Sequence, residues 1–316
     1  MRPIAHRTGA VLRFSLGPTT RASGASWSPG SADTEHLIAI LGGLGAALCF
    51  GASTLCSSRS SRLIGAGSVV AWVMLVGLVL TLPAVALTST PDQLDAGSVT
   101  WFTVSGVGNV AGLLIVYAAL RIERVGIVAP ITSTEGAVAA AIAAAAGEAI
   151  GGGTGLALGV IVVGVVLAGL VGEQNEERHD RRGALLALVS AGLFGMGLYA
   201  TGRVGADLTV TWAVLPARVV GVVAVTLPLA LTSRLRLTWR ALPLVVASGL
   251  AEVVGFASFA AGARHGIAVT AVLASQFAAV AAVGAYVLFG ERLGRVQLTG
   301  VAMILAGVAA LSALKV

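Results

Sequence analysis

The sequence predicts an all-α integral membrane protein of ten transmembrane helices, arranged as two inverted five-helix repeats. Three observations predict it. Of 316 residues, 57% are hydrophobic and only 11% charged, with mean hydropathy +0.94, whereas soluble domains carry nearer a quarter charged residues. The apolar residues gather into ten segments of membrane-spanning length. Features of the first five segments return in the second five at an almost constant offset.

Residues 1–34 stand apart. They carry Arg2, Arg7, Arg13 and Arg21, many Ser, Thr and Gly, and no acid before Asp33. Arg13 interrupts Ala10 to Leu16, the only candidate for the apolar core of a secretory signal. This segment reads as a disordered cationic tail. The predicted spans follow at 36–56, 64–88, 98–120, 125–147 and 153–172, then 183–202, 208–231, 241–262, 266–289 and 295–314. Glu173 to Arg182 (EQNEERHDRR) is the longest polar connection and falls near the centre of the chain. It reads as the linker between halves 36–172 and 183–316. The 42 glycines and the Ala-rich runs suit helices that must approach closely in lipid.

The halves share a register. Phe50-Gly51 recurs as Phe194-Gly195, Thr81-Leu82-Pro83 as Thr226-Leu227-Pro228, and Gly147-Glu148 as Gly290-Glu291. Ser105-Gly106-x-x-Asn109-Val110-x-Gly112 recurs as Ser248-Gly249-x-x-Glu252-Val253-x-Gly255, and Gly164 as Gly307. All offsets lie between 143 and 145. A unit with an odd number of crossings leaves its second copy upside down, so five-helix halves are inverted repeats. Transporters use that symmetry for alternating access, with the substrate near the midplane between the repeats.

Three ionisable residues fall deep inside predicted spans: Glu135 in the fourth, Arg218 in the seventh and Glu252 in the eighth. At 1.5 Å per residue each sits near the bilayer midplane, where a charge costs at least ~2.5–3.5 kcal/mol. One reading pairs Arg218 with one glutamate while the other takes up a proton or meets a cationic group of the substrate. The alternative is a structural Arg–Glu pair that pins helices together. Asn109 holds the position that repeats Glu252, suited to a substrate hydrogen bond or to helix–helix glue. Pro130 frees a backbone carbonyl, and Ser133, Thr134, Ser275 and Gln276 add polarity beside it and at the equivalent place in the ninth span. These read as cavity lining, against hydroxyls that merely bond back to their own helix. Tyr117, Tyr199 and Trp212 lie toward span ends and read as interface anchors. Glu148 and Glu291 close the fourth and ninth spans and read as capping or gating groups.

The net charge of +6 and a pI of about 10.3 do not point to nucleic acid, because the cations sit singly or in pairs between apolar spans. Cys49 and Cys56 are seven residues apart in one predicted helix, about 10 Å, which excludes a disulfide between them. No metal-ligand spacing and no ATP-binding loop occurs, so no cofactor is expected. Connections after odd-numbered spans hold twelve Arg and Lys against three on the opposite side, which places both termini outside. The four-Arg tail argues the other way, so orientation stays open.

The chain resembles the EamA-type family of the drug/metabolite transporter superfamily. The resemblance rests on Val125 to Pro130 running to Gly147-Glu148, and on Gly266 through Ser275 to Gly290-Glu291-Arg292-Leu293. Gln297-Leu298-x-Gly300 and Leu305 to Val308 extend it. It implies a multi-pass carrier of small metabolites, amino acids or drugs, commonly exported, with cytoplasmic termini. Many relatives carry a proline near the position of Ala278; this chain does not, which confines the expected helix breaking at the site to Pro130 in the first half. The expected partners are a small-molecule substrate, the lipid bilayer and H+ as coupling ion, in a monomer or homodimer. A lipid-modifying membrane enzyme would need clustered His or Asp, and a channel would need rings of like charge; the sequence offers neither.

Overall fold

The computed structural model describes residues 29–88, 96–122, 131–169, 181–207, 209–289 and 294–313. Among them every regular element is helical, and six helices are long and apolar enough to cross a membrane. In chain order the helices are α1 (Pro29–Ile64), α2 (Ala66–Leu87), α3 (Ala96–Ile122), α4 (Glu135–Ala145) and α5 (Gly152–Gly169). Then come α6 (Arg181–Asp207), α7 (Val210–Leu231), α8 (Leu242–Ala263), α9 (Ile267–Ala274), α10 (Phe277–Phe289) and α11 (Arg295–Ala313). The remaining predicted spans correspond to shorter apolar helices, including Glu135–Ala145 and Ile267–Ala281.

Three expectations are corrected. The first helix starts at Pro29, inside the segment read as a tail, where proline's fixed φ suits a first helical turn; residues 1–28 lie outside the described residues. The same helix runs on to Ile64 through Ser57–Arg62, a polar run that the sequence reads as a loop. Ser60 holds that turn by donating to the carbonyls of Cys56 and Ser57 at 3.0 and 3.2 Å. Tyr199 is not an interface anchor. It is 6% exposed and packs edge-on against Trp101, centroids 5.6 Å apart. Of the central linker, residues 173–180 lie outside the described residues, and Arg181 and Arg182 open α6.

Helices pair across the chain rather than along it. The broadest contacts join α1 to α8, α3 to α6 and α5 to α11, with α4 against α9 and α2 against α7. Lipid supplies no hydrophobic drive between helices, so close approach through small residues has to supply dispersion contact. A Cβ on Gly164 would lie 2.9 Å from the Gly300 carbonyl oxygen and 2.9 Å from the Ile304 nitrogen, and one on Gly307 would meet Ala157 and Ile161. In the same way Gly112 receives the ring of Phe194 and Gly255 that of Phe50. Gly77 lies under Arg218, and Gly221 lies under Met74. Within each such set, corresponding residues stand 143 or 144 positions apart.

The α5–α11 contact makes the packing argument testable. Gly164→Ala should destabilise the protein by about 1–3 kcal/mol through overpacking, read as a lower thermal midpoint in detergent. Gly159→Ala, on the same helix with nothing within 4 Å of its added Cβ, should leave the midpoint unchanged or raise it. Equal loss in both would show that the helix contact does not limit stability.

Candidate functional site

Among the described residues Arg218 is the largest fully buried side chain, at 0% exposure. It enters from α7 and reaches Glu252 of α8, with Nη2 donating to Oε2 at 3.4 Å. Room for the guanidinium comes from Gly77 of α2, where a Cβ would lie 2.8 Å from Arg218 Cδ. Its other neighbours are soft. Nη1 faces the thioether of Met74 at 3.5 Å, and the Phe256 ring lies 5.0 Å away, in cation–π range. Arg218 Nε is buried without a hydrogen-bond partner among the described residues, an under-satisfied state for a five-donor group.

The acid is held from the far side. Glu252 Oε1 accepts from Ser53 Oγ of α1 at 3.2 Å, and its side chain remains 23% exposed. Ser53 Oγ lies 2.7 Å from Ser248 Oγ, which lies 2.8 Å from Ser57 Oγ. These hydroxyls tie α1 to α8 one turn from the ion pair. The other half repeats the tie: Ser105 and Thr201, which match Ser248 and Ser57 in the repeat, meet at 2.6 Å between α3 and α6. Asn109, the counterpart of Glu252, is half-buried on α3 and makes no side-chain hydrogen bond among the described residues.

Glu135 opens α4, where helix N-terminal amides favour negative charge. It is 8% exposed, with no hydrogen bond or ion pair to its carboxyl among the described residues. Glu252 acts on it electrostatically, like charge toward like. Its neighbour Gly136 lets α4 press on the end of α9, where a Cβ would lie 2.6 Å from Ser275 Oγ.

The ninth span breaks despite lacking proline, which corrects the expectation that breaking is confined to Pro130. α9 ends in a turn at Ser275–Gln276 and the chain resumes as α10. Ser275 Oγ donates to the Val272 carbonyl at 2.9 Å, and the Gln276 amide bonds three residues back to Leu273 at 3.2 Å. A hydroxyl that competes for the helix carbonyl and tightens the turn needs no proline. The fourth span carries the same device: Thr134 Oγ1 donates to the Ile131 carbonyl at 2.7 Å, and the Thr134 amide does so at 3.1 Å. Thr134 and Ser275 therefore bond back to their own helices. Pro130 lies outside the described residues. Ser133, at 2% exposure, is buried beside this turn. Gln276 Nε2 and Thr132 Oγ1 are buried without hydrogen-bond partners among the described residues.

Glu148 proves to be a cap. Its carboxylate accepts from the backbone amides of Ile267 and Ala268 at 3.2 and 3.0 Å, fastening the end of α4 to the start of α9. Glu291 lies outside the described residues. Cys49 and Cys56 are free thiols, and no metal-binding group of His, Cys, Asp and Glu occurs among the described residues. The sequence identified the charged residues but missed Ser53, Ser57, Gly77, Met74 and Phe256. The four-residue spacing of Ser53 and Ser57, and the Ser-Gly pair beginning at Ser248, were the available signals.

Residues 37–170 match the EamA-like transporter family, which bears out the resemblance read from the sequence over the first half. One solved crystal structure covers 90% of this chain and 96% of its own, with a TM-score of 0.70 at 15% identity. At that identity the likeness is one of fold. No curated protein matches the sequence. The family match and the apolar helices identify a multi-pass membrane-embedded protein.

The ion pair can be weighed by a double-mutant cycle. Arg218→Met alone should cost about 1–3 kcal/mol, because it leaves the partly exposed Glu252 carboxylate without its counter-charge. Adding Glu252→Gln should recover part of that loss in thermal unfolding. Strictly additive losses would mean that the two side chains are not coupled.

Proposed function

We propose that the chain is a secondary transporter of a small organic solute that works by alternating access between two five-helix halves, residues 36–172 and 183–316. The observation that carries this reading is a charged cluster buried where both halves meet: Arg218 and Glu252 from the second, with Ser53, Met74 and Glu135 from the first. Intramembrane charges that face inward mark substrate or ion pathways. The recurrence of helix contacts and of the hydroxyl tie at a fixed offset supports an in-plane pseudo-two-fold axis between inverted halves. The family match over residues 37–170 supports transport as the activity.

In this mechanism Arg218 neutralises Glu252 and leaves Glu135 as the acid without a counter-charge. Glu135 then carries the coupling proton or meets a cationic group of the substrate. Asn109, Gln276 and Ser133 line the path, with Thr134 and Ser275 setting the helix interruptions beside it. Outward movement of a metabolite, amino acid or drug-like solute across a bacterial inner membrane, as monomer or homodimer, completes the proposal. Neither a lipid-modifying enzyme nor a channel gains support from the cluster: the carboxylate that Ser53 meets is ion-paired to Arg218, and the described residues form no ring of like charge.

The test compares metabolites inside and outside cells overproducing wild type, Glu135→Gln or Glu252→Gln at matched membrane levels. A solute that the wild type moves outward should lose its gradient in both variants by about tenfold or more, the size expected when a charge-assisted contact of ~1.5–3 kcal/mol is removed. Undiminished export in both would assign the cluster to structure alone. Solute exchange across proteoliposomes would separate a carrier from a channel.

A further inference from the structure

The connection between α7 and α8, residues 232–241, is turned outward along most of its length. Arg234, Arg236 and Arg240 are all exposed, and with them Trp239 at 87%, Leu231 at 77% and Leu237 at 40%. The backbone is pinned rather than loose. Trp72 Nε1 donates to the Arg236 carbonyl at 2.9 Å, the Arg236 amide donates to Ser68 Oγ at 3.1 Å, and the Arg234 and Leu235 amides both reach the Leu229 carbonyl. Ser233 turns the chain in the left-handed region at φ 54°. Ile64, Val69, Val73, Ala241 and Val245 pack together beneath, which brings the end of α1 and its exposed Arg62 to the same side.

We propose that this face binds anionic phospholipid headgroups. Two features select that occupant. The guanidinium groups of Arg62, Arg234, Arg236 and Arg240 have no acidic partner among the described residues. Glu135 and Glu252 lie in the interior, Glu148 at α9, and Glu35 at the opposite end of α1. The second feature is apolar. A tryptophan and two leucines held out among arginines, at the edge of membrane-spanning helices, suit a layer that is both anionic and adjoins hydrocarbon. A soluble acidic partner would satisfy the arginines but leave Trp239 and Leu231 wet. The surface shares no residue with the buried charge cluster, so the inference stands apart from the transport reading.

Full-length protein in phosphatidylcholine vesicles would be probed with spin-labelled phosphatidylglycerol against spin-labelled phosphatidylcholine. The wild type should prefer the anionic probe, and the preference should fall with added salt. Replacing Arg234, Arg236 and Arg240 together by Gln should weaken it about tenfold or more. In the wild type, headgroup-labelled lipid should quench a fluorescence component that Trp239→Phe removes, a readout that does not depend on the triple variant folding. Selectivity unchanged in the triple variant, or a Trp239 component quenched by aqueous iodide and not by labelled lipid, would overturn the proposal. So would soluble polyglutamate binding to this face as tightly as the anionic lipid.

Discussion

The placement of one guanidinium in a low-dielectric interior constrains much of what surrounds it. Arg218 is wholly removed from solvent, and a charge so placed must be neutralised and hydrogen-bonded or it destabilises the fold. The surrounding sequence answers each demand separately. Glu252 supplies the counter-charge, Phe256 a ring face, and Gly77 the space that any side chain would deny. Glu252 in turn is steadied by Ser53, and Ser53 by Ser248, so the constraint passes from α7 through α8 to α1. Downstream on α7, residues Val222–Thr226 form a π turn. Pro228 has no amide to donate to the carbonyl four residues back, and the wider turn accommodates that loss.

Away from this cluster the fold is held by shape. Between apolar helices in an apolar solvent, contact distance decides how much dispersion energy is gained. Glycines opposite Phe50, Phe194, Ile161 and Ile304 set those distances. The exposed leucines and valines on the outer faces need no burial, because hydrocarbon is their solvent. Polar ties are few and each sits at a crossing: Ser105 with Thr201, Ser190 on the Gly112 carbonyl, and Thr226 on the Ala71 carbonyl.

Much of the helical layout was legible because hydropathy and register are properties of the chain itself. The charged residues were legible for the same reason: three ionisable groups in long apolar runs are conspicuous. Which glutamate pairs with Arg218 was not legible, since that depends on how α7 crosses α8. The interruption at Ser275–Gln276 was missed because the usual signal is proline, whereas here a hydroxyl and a tightened turn do the same work. The extension of α1 through Ser57–Arg62 was missed because serines that bond back to the helix look, in sequence, like serines of a loop. Asn109 lies where its register places it, yet its side chain bonds to nothing described.

The two halves differ in charge at the buried cluster. Met74 stands where the repeat places Arg218, and Asn109 where it places Glu252. A homodimer built from one such half would be forced to bury every charge twice, facing itself across the axis. A single chain carrying both copies is released from that obligation: one copy keeps the ions while the other keeps neutral groups of similar reach. On the proposed transport reading, the path between the halves then has a polar and a neutral wall, and so a direction along which an asymmetric molecule is oriented.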